Sequence, residues 1–338
     1  MLKNYMHKKE RLFVEMNDNR VVRPFGWGME HVGGNENDDP RAFFAKYSSE
    51  AVRGGDDFYS LSNDAGRNLK INGSELSWDS AILSGDASNN RAFAHLFKFE
   101  KNKRSAVVVL PHWNAKAGTY FDLCRLFNKV GLTALRLTLP YHEARMPSHL
   151  ERADHLVAPN IGLTLQSVRQ AVLDTRSAVR FLKEEGYENI GIVGTSIGSC
   201  TAFLAMVHEP DIKAAVFNHV SSYFADVVWK GLSTYHVRAA LEKEVSLKEL
   251  RDFWRPISPA AFMSKLAGQE HRRQCYIYTL YDLTFPVELS RQTVSLLKEN
   301  RIPHSKMVLP CGHYTLGEKP WVYLDGYRIV SFLRRNLR

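Results

Sequence analysis

The 338-residue chain has few cysteines and no long apolar run. Cys124, Cys200, Cys275 and Cys311 lie far apart and show neither CxxC nor Cys/His spacing, which argues against a zinc site and a disulfide framework. No stretch reaches about 18 uninterrupted apolar residues, so no membrane-spanning helix is expected. The basic N-terminus lacks the apolar segment of about 7–15 residues that a secretory signal needs. These absences predict a cytoplasmic protein with reduced thiols.

Positive charge is in excess, but it is scattered. The net charge is +9, and the lysines and arginines fall in short clusters, at residues 7–11, 101–104, 271–273 and 334–338. No basic stripe is interleaved with aromatic residues, so nucleic acid is not expected as a partner. An anionic membrane surface stays open as a partner but is not favoured.

From about residue 92 onward, patterns typical of strands and helices alternate. The predicted strands cover residues 92–99, 106–110, 133–139, 190–193, 214–218, 275–280 and 306–309. Several are continuous Val, Ile and Leu runs, as expected for strands covered on both faces. The predicted helices cover residues 118–129, 163–185, 198–208, 287–300 and 321–336. This alternation predicts an α/β fold with a mostly parallel central sheet flanked by helices on both faces.

Two regions depart from the alternation. Residues 1–91 are interpreted as an N-terminal extension that packs on a core domain of residues 92–338. The extension holds one predicted helix, with Asp39 as N-cap, Pro40 at the first position and Gly54 near the end, and a short strand near residues 80–84.

The second region lies between the predicted strands that end at residue 218 and begin at residue 275. The intervening chain exceeds fifty residues, which is too long for a simple crossover. Residues 221–255 within it are aromatic and helix-prone, so we predict an inserted helical lid.

The stretch NIGIVGTSIGSC, residues 189–200, carries the most specific chemical signal. A dinucleotide-binding turn needs glycines at relative positions 0, 2 and 5, but Gly191, Gly194 and Gly198 stand at 0, 3 and 7. The Gly-Lys-Ser/Thr run of a phosphate-binding loop is also missing. Residues 194–198 instead match G-x-S-x-G, in which small neighbours let a strained strand-to-helix turn display Ser196.

Two partners for Ser196 follow at the ends of later predicted strands. Asp282 comes after the strand at 275–280, and His313 comes after the strand at 306–309, with Gly312 allowing the backbone to turn. Taken singly, they could be a turn serine, a helix-capping acid and an ordinary histidine. Taken together, in the order serine, acid, histidine and at strand ends, they favour a catalytic triad.

Two backbone N–H groups are expected to stabilise an oxyanion. One belongs to Ile197, which follows the nucleophile. The other should come from the loop after the strand at 106–110, where Trp113 and Asn114 are the candidates.

With these residues in place, the chain from about residue 92 to its C-terminus resembles the α/β-hydrolase superfamily, in its esterase and dienelactone-hydrolase-like branch. The resemblance rests on the G-x-S-x-G turn and on the segments LPHW, LPYHEARMP, ISPAAF, YDLTFP and CGHY. It implies Ser196 as nucleophile, His313 as base and Asp282 as the residue that orients the base. The family commonly has glycine where this chain has Trp113.

The predicted reaction is hydrolysis of a small-molecule carboxylic ester through an acyl-enzyme, with no metal and no organic cofactor. The alternatives are a lipid acyl hydrolase at a membrane surface, a peptidase or amidase with the same triad, and a catalytically silent binding module. The candidate substrate-binding residues are His112, His142, Arg145, Tyr223 and Trp229. Arg145 could instead form a salt bridge, and the aromatic side chains could instead pack the lid onto the sheet.

Overall fold

A single mixed sheet organises the chain. The structure is a computed structural model that describes residues 2–16, 18–62, 65–101 and 104–338. Within these residues the sheet has nine strands, β1 (Lys70–Asn72), β2 (Glu75–Asp79), β3 (Arg91–Phe97), β4 (Ser105–Leu110), β5 (Thr133–Thr138), β6 (Asn189–Thr195), β7 (Ile212–Asn218), β8 (Arg273–Thr279) and β9 (Ser305–Leu309).

The strand order across the sheet is β1-β2-β3-β5-β4-β6-β7-β8-β9. The pairs β1–β2, β2–β3 and β3–β5 are antiparallel, and every other pair is parallel. The carboxyl ends of the parallel strands therefore meet at one edge of the sheet, where ligands bind in open α/β folds.

Helices cover both faces of the sheet. The described helices are α1 (Leu2–Glu15), α2 (Pro40–Arg53), α3 (Gly55–Phe58), α4 (Phe121–Lys129), α5 (Ile161–Glu184), α6 (Ile197–His208), α7 (Phe224–Lys230), α8 (Tyr235–Leu241), α9 (Leu247–Phe253), α10 (Val287–Glu299) and α11 (Trp321–Asn336). None of them is both long enough and apolar enough to cross a membrane.

Strand β4 shows why both faces need a cover. All six of its residues are buried. Val107 and Val109 pack with Phe127 of α4 and Leu333 of α11, whereas Val108 belongs to the larger core on the opposite face. Side chains alternate across a strand, so a continuous apolar run is stable only between two helical layers. The predicted mostly parallel sheet with helices on both faces is confirmed.

The N-terminal region contains more regular structure than the sequence suggested. The helix expected after Asp39 is present as α2, and the Asp39 side chain accepts the N–H of Ala42 at 2.7 Å. The strand expected near residues 80–84 was wrong: no strand covers these residues, and β1 and β2 precede them. Their hairpin turns at Gly73-Ser74, and Gly73 has a φ of 60°. Two-residue hairpin turns favour glycine at their first position because glycine tolerates positive φ.

Helix α1 was not expected at all. Its buried residues are Met6, Glu10 and Val14, spaced by four positions along one face. The middle residue is charged, so the apolar pattern is too weak to predict a helix.

Residues 221–255 carry α7, α8 and α9, and their apolar side chains join the larger core. The Phe253 ring lies 5.9 Å from the Phe44 ring of α2 and 6.0 Å from the Trp27 ring. The inserted helices and the N-terminal region thus pack against each other. The lid role and the domain boundaries remain predictions.

An internal ion pair ties the loop after β5 to helix α5. Arg145 and Asp174 are both fully buried, and Arg145 Nη1 lies 2.8 Å from Asp174 Oδ2. Arg145 also donates to the carbonyl oxygens of Asn89 (2.9 Å) and Thr138 (3.2 Å), and Asp174 accepts the hydroxyl of Ser80 at 2.8 Å. Arg145 therefore links the chain around Asn89, the end of β5 and helix α5 in the interior of the protein.

We expect Asp174→Ala to lower the free energy of unfolding by about 3–5 kcal/mol, because it leaves the Arg145 guanidinium buried without a counter-ion. Urea denaturation measures this change. In the control Asp122→Ala, the lost partner is Arg125 in an exposed pair, so stability should stay within about 1 kcal/mol of the wild type. Equal losses of stability in the two variants would contradict the structural role of the buried Arg145–Asp174 pair.

Candidate active site

Ser196 occupies a strained turn between β6 and α6. Its φ is 57° and its ψ is −123°, a combination that non-glycine residues rarely adopt. A Cβ on Gly194 would lie 2.1 Å from the carbonyl oxygen of Gly198, and a Cβ on Gly198 would lie 2.4 Å from that of Pro111. Both glycines are thus required by space. The turn places Ser196 at the N-terminus of α6, where the helix dipole favours negative charge.

Asp282 and His313, the predicted acid and base, are in contact. His313 Nδ1 lies 3.1 Å from Asp282 Oδ2. Asp282 Oδ1 accepts the backbone N–H groups of Thr284 (2.7 Å) and Phe285 (2.6 Å), which fixes the carboxylate. The Phe285 ring stacks on the imidazole with the ring centres 5.5 Å apart. The structure therefore brings together Asp282 and His313, 31 residues apart in sequence.

Each member of this pair shifts the pKa of the other. Burial alone would raise the pKa of Asp282, but the charge and hydrogen bond of His313 hold that pKa below its usual value. Burial alone would lower the pKa of His313, but Asp282, with a smaller contribution from Glu10, holds that pKa above its usual value. The imidazole is consequently a stronger base than a free histidine.

Ser196 and His313 line the same cleft, which has a volume of about 1580 Å³. No hydrogen bond joins their side chains within the described residues. Hydrogen bonds of this kind are often long in sites without substrate and shorten when substrate binds.

The two candidates for the second oxyanion donor differ in their hydrogen bonding. The backbone N–H of Asn114 donates to His142 Nε2 at 2.8 Å, and His142 Nδ1 lies 2.8 Å from the carbonyl oxygen of Pro140. Burial lowers the pKa of His142 to about 3, so its Nε2 is an acceptor. In the described chain, the N–H groups of Trp113 and Ile197 have no such acceptor. The geometry favours Trp113 over Asn114.

Two of the candidate substrate residues line the cleft, namely His112 and His142. Arg145, as described above, lies in the buried pair. Tyr223 and Trp229 are not among the cleft-lining residues. Each of these two rings is covered by an arginine of the inserted helices, Arg251 at 5.4 Å and Arg238 at 5.5 Å from the respective ring centre. The contacts of Arg145, Tyr223 and Trp229 are typical of residues with a structural role.

One neighbour of the acid was missed by sequence reasoning. His219 directly follows β7, and its Nε2 lies 3.3 Å from Asp282 Oδ2. Its ring centre is 4.6 Å from that of His313. Burial lowers the pKa of His219 to about 3, so the ring is neutral. The rule that located Asp282 and His313, a polar residue just past a parallel strand, would also have found it.

Two groups of side chains bring three potential metal ligands within 4.8 Å of one another in the described residues. One consists of His219, Asp282 and His313, whose carboxylate already accepts a hydrogen bond from the base. The other consists of Asp86, His149 and His155, in which Asp86 accepts a hydrogen bond from His155 at 3.2 Å. The predicted independence from metal is untested.

Solved structures share this architecture. An acylaminoacyl peptidase from Pyrococcus horikoshii is similar with a TM-score of 0.58 at 16% identity, over 84% of this chain and 43% of the peptidase. An acetyl xylan esterase from a Thermoanaerobacterium species is similar with a TM-score of 0.56 at 13% identity, over 87% of this chain and 94% of the esterase. The chain has the α/β-hydrolase fold.

An esterase from Pyrococcus furiosus is also similar, with a TM-score of 0.54 at 14% identity, over 94% of this chain and 99% of the esterase. The chain spans less than half the length of the peptidase and nearly the whole length of both esterases. No protein-family model matches the sequence, and no curated protein matches it either. Identities this low establish the fold alone.

We expect Gly198→Ala to lower the free energy of unfolding by about 1–3 kcal/mol or more, because the new methyl group overlaps backbone oxygen atoms. Urea denaturation measures the loss. Gly85→Ala is the matched control, since a Cβ there meets no atom within 4 Å. This control should keep or slightly raise stability. A stable Gly198→Ala variant would show that the turn is less crowded than the structure indicates.

Proposed function

We propose that the protein is a serine hydrolase that cleaves a carboxylic ester through an acyl-enzyme intermediate. The observation that carries this proposal is the strained Ser196 turn, which opens into the same cleft as a histidine already bonded to a buried aspartate. Strain of this kind persists only where the surrounding structure imposes it, and it is frequent at active sites.

In the proposed mechanism, the Ser196 hydroxyl attacks the ester carbonyl carbon while His313 Nε2 takes its proton. Asp282 holds the other ring nitrogen and stabilises the imidazolium. The proton then passes from His313 to the leaving alcohol as the ester C–O bond breaks. Water attacks the resulting acyl-serine with His313 again as base, which releases the acid and restores Ser196.

The oxyanion formed at each step would accept hydrogen bonds from the N–H groups of Ile197 and Trp113. Loss of one such donor typically reduces transition-state stabilisation by about 2.7–4 kcal/mol. Pro111 begins the loop that carries Trp113, and its carbonyl group packs against Gly198. The two donors are therefore held at a fixed separation by backbone contact.

The walls of the cleft favour an ester with an apolar acyl or aryl group. Apolar side chains from several elements line it: Phe13, Val14, Trp113, Phe224, Val227, Val228 and Phe285. The chain spans more than nine-tenths of each of the two esterases of similar fold described above, which supports an ester as substrate. The peptidase of similar fold makes an amide the alternative to be tested.

We expect a fluorophosphonate probe to label the wild type and not Ser196→Ala, because the probe reacts with an activated serine. The same substitution should lower kcat on p-nitrophenyl esters by about 10⁶-fold. Ser221→Ala is the matched control, since Ser221 is a second buried serine of the cleft, and it should keep labelling.

Labelling that persists in Ser196→Ala would reject this nucleophile, and a wild type that is never labelled would favour a silent binding module. A p-nitrophenyl ester chain-length series and the matching anilides separate ester from amide preference. Adding anionic liposomes at low and high salt tests action at a membrane surface.

The pH dependence of kcat/KM should report the base. Neutral His313 is the active form, so activity rises as the pH increases through its pKa, which lies above that of a free histidine. Asp282→Asn removes the charge that raises this pKa, so the acidic limb should move to lower pH. The same variant should lose about 10⁴-fold in kcat, because the imidazole is no longer oriented.

A second carboxyl group makes a control necessary. Burial raises the pKa of Asp325 to about 7, and Asp325 lines the same cleft. Asp325→Asn should leave the acidic limb in place. A limb that disappears in Asp325→Asn and stays in Asp282→Asn would assign the titration to Asp325 instead.

A further inference from the structure

Glu10 of α1 lies directly behind the loop that carries the base. It is completely buried. Its Oε1 accepts the backbone N–H groups of Tyr314 (3.1 Å) and Thr315 (2.9 Å), and its Oε2 lies 3.1 Å from the N–H of Tyr314. Tyr314 immediately follows His313, so this side chain holds the backbone beside the imidazole.

Glu10 leaves no room for a side chain at residue 312. A Cβ on Gly312 would lie 2.4 Å from Glu10 Cδ and 2.5 Å from Oε1. Gly312 is not among the glycines with positive φ, so glycine is needed here for space and not, as the sequence suggested, for the turn itself. Residues 312–315 therefore wrap around one carboxyl group.

The rest of the N-terminal segment braces the same loop. Phe13 stacks on Tyr314 with the ring centres 6.2 Å apart, and Lys9 pairs with Glu318 at 2.5 Å. Arg20 Nη2 lies 3.3 Å from the Tyr314 hydroxyl. Phe13 also lines the cleft. These contacts indicate that α1 is part of the wall of the site.

The contacts of Glu10 are those of an ionised carboxylate. Both of its oxygens accept N–H groups, and within the described chain neither has an acceptor that a carboxylic acid proton would need. Burial raises the pKa of Glu10, and the N–H groups of Thr315 and Tyr314 oppose that rise. A negative charge at this position favours the protonated form of His313.

We propose that Glu10 is a positioning residue for His313. The Glu10 carboxylate fixes the loop at residues 312–315 and stabilises the imidazolium that His313 forms in the reaction. This inference rests on the proposed function and adds an element outside the triad to it. It gives α1 a role in supporting catalysis, although Glu10 and Tyr314 are 304 residues apart in sequence.

The test uses the full chain and compares Glu10→Gln with Glu15→Gln. Glu15 is an exposed residue of the same helix, so the control makes the same chemical change away from the site. For Glu10→Gln we expect kcat on a p-nitrophenyl ester to fall about 10–100-fold, with KM nearly unchanged. Glu15→Gln should match the wild type.

The pH profile separates positioning from a merely structural role. Without the Glu10 charge, the pKa of His313 falls, so the acidic limb of kcat/KM should move to lower pH. Within the described residues, the other titratable groups around His313 are Asp282, His219, His112 and Tyr314, and Arg20 contacts the Tyr314 hydroxyl. All of these groups are identical in both variants. Lower stability with an unchanged kcat and limb would overturn the inference.

Gly312→Ala provides a second test of the role of Glu10 if Glu10→Gln does not fold. It keeps every charge but forces the Glu10 carboxylate away from the loop, so kcat should fall by a similar factor. Unchanged kcat in this variant would also overturn the inference.

Fluorophosphonate labelling of the wild type and Ser196→Ala is run in parallel. Labelling that is lost in Ser196→Ala with no effect of Glu10→Gln rejects Glu10 alone, whereas no labelling of the wild type rejects the proposed function.

Discussion

The hydrogen bond between His313 and Asp282 depends on the parallel pairing of β8 with β9. That pairing continues past the ends of the strands, since Leu280 donates to the carbonyl oxygen of Leu309 and Tyr281 to that of Cys311, both at 2.9 Å. The two turns are thus held by backbone bonds before any side chain is considered. Whatever chemistry the cleft performs, it relies on this extension of the sheet.

The strained backbone at Ser196 is supported from the opposite side. Every residue of α6 is buried, so the helix cannot shift to relax the turn without disturbing the core. The same turn contacts the loop after β4 through Gly198 and Pro111. Ser196 and the proposed oxyanion loop are therefore held together by backbone contact, and the Asp282–His313 pair, just past β8 and β9, lies on the other side of β7.

The parts of the fold that the sequence predicted are those with a strong local pattern. Continuous apolar runs identified β4 and β6, and glycine spacing identified the turn at Ser196. Asp282 and His313 were found because both follow such strands. The hairpin β1–β2 was missed because β1 is wholly exposed. Helix α1 was missed because its central buried residue is Glu10, whose partners are backbone N–H groups far along the chain.

Two questions that the sequence left open, the place of Arg145 and the choice between Trp113 and Asn114, depend on contacts between distant segments. Arg145 was a candidate for the cleft until its partner Asp174, on a different element, placed it in the interior. The choice between Trp113 and Asn114 depended on a hydrogen bond to His142, 28 residues away. No periodicity or propensity encodes such pairings, because they exist only once the sheet has assembled.

The junction of Glu10 with Tyr314 has a consequence for the order of folding. Contacts that close very long chain segments lose the most loop entropy, so they form late in folding. The Glu10 carboxylate cannot be enclosed before residues 312–315 join the fold, because Tyr314 and Thr315 supply its N–H partners. We therefore expect α1 and the loop after β9 to become ordered together, since the Glu10 carboxylate is satisfied only when both are in place.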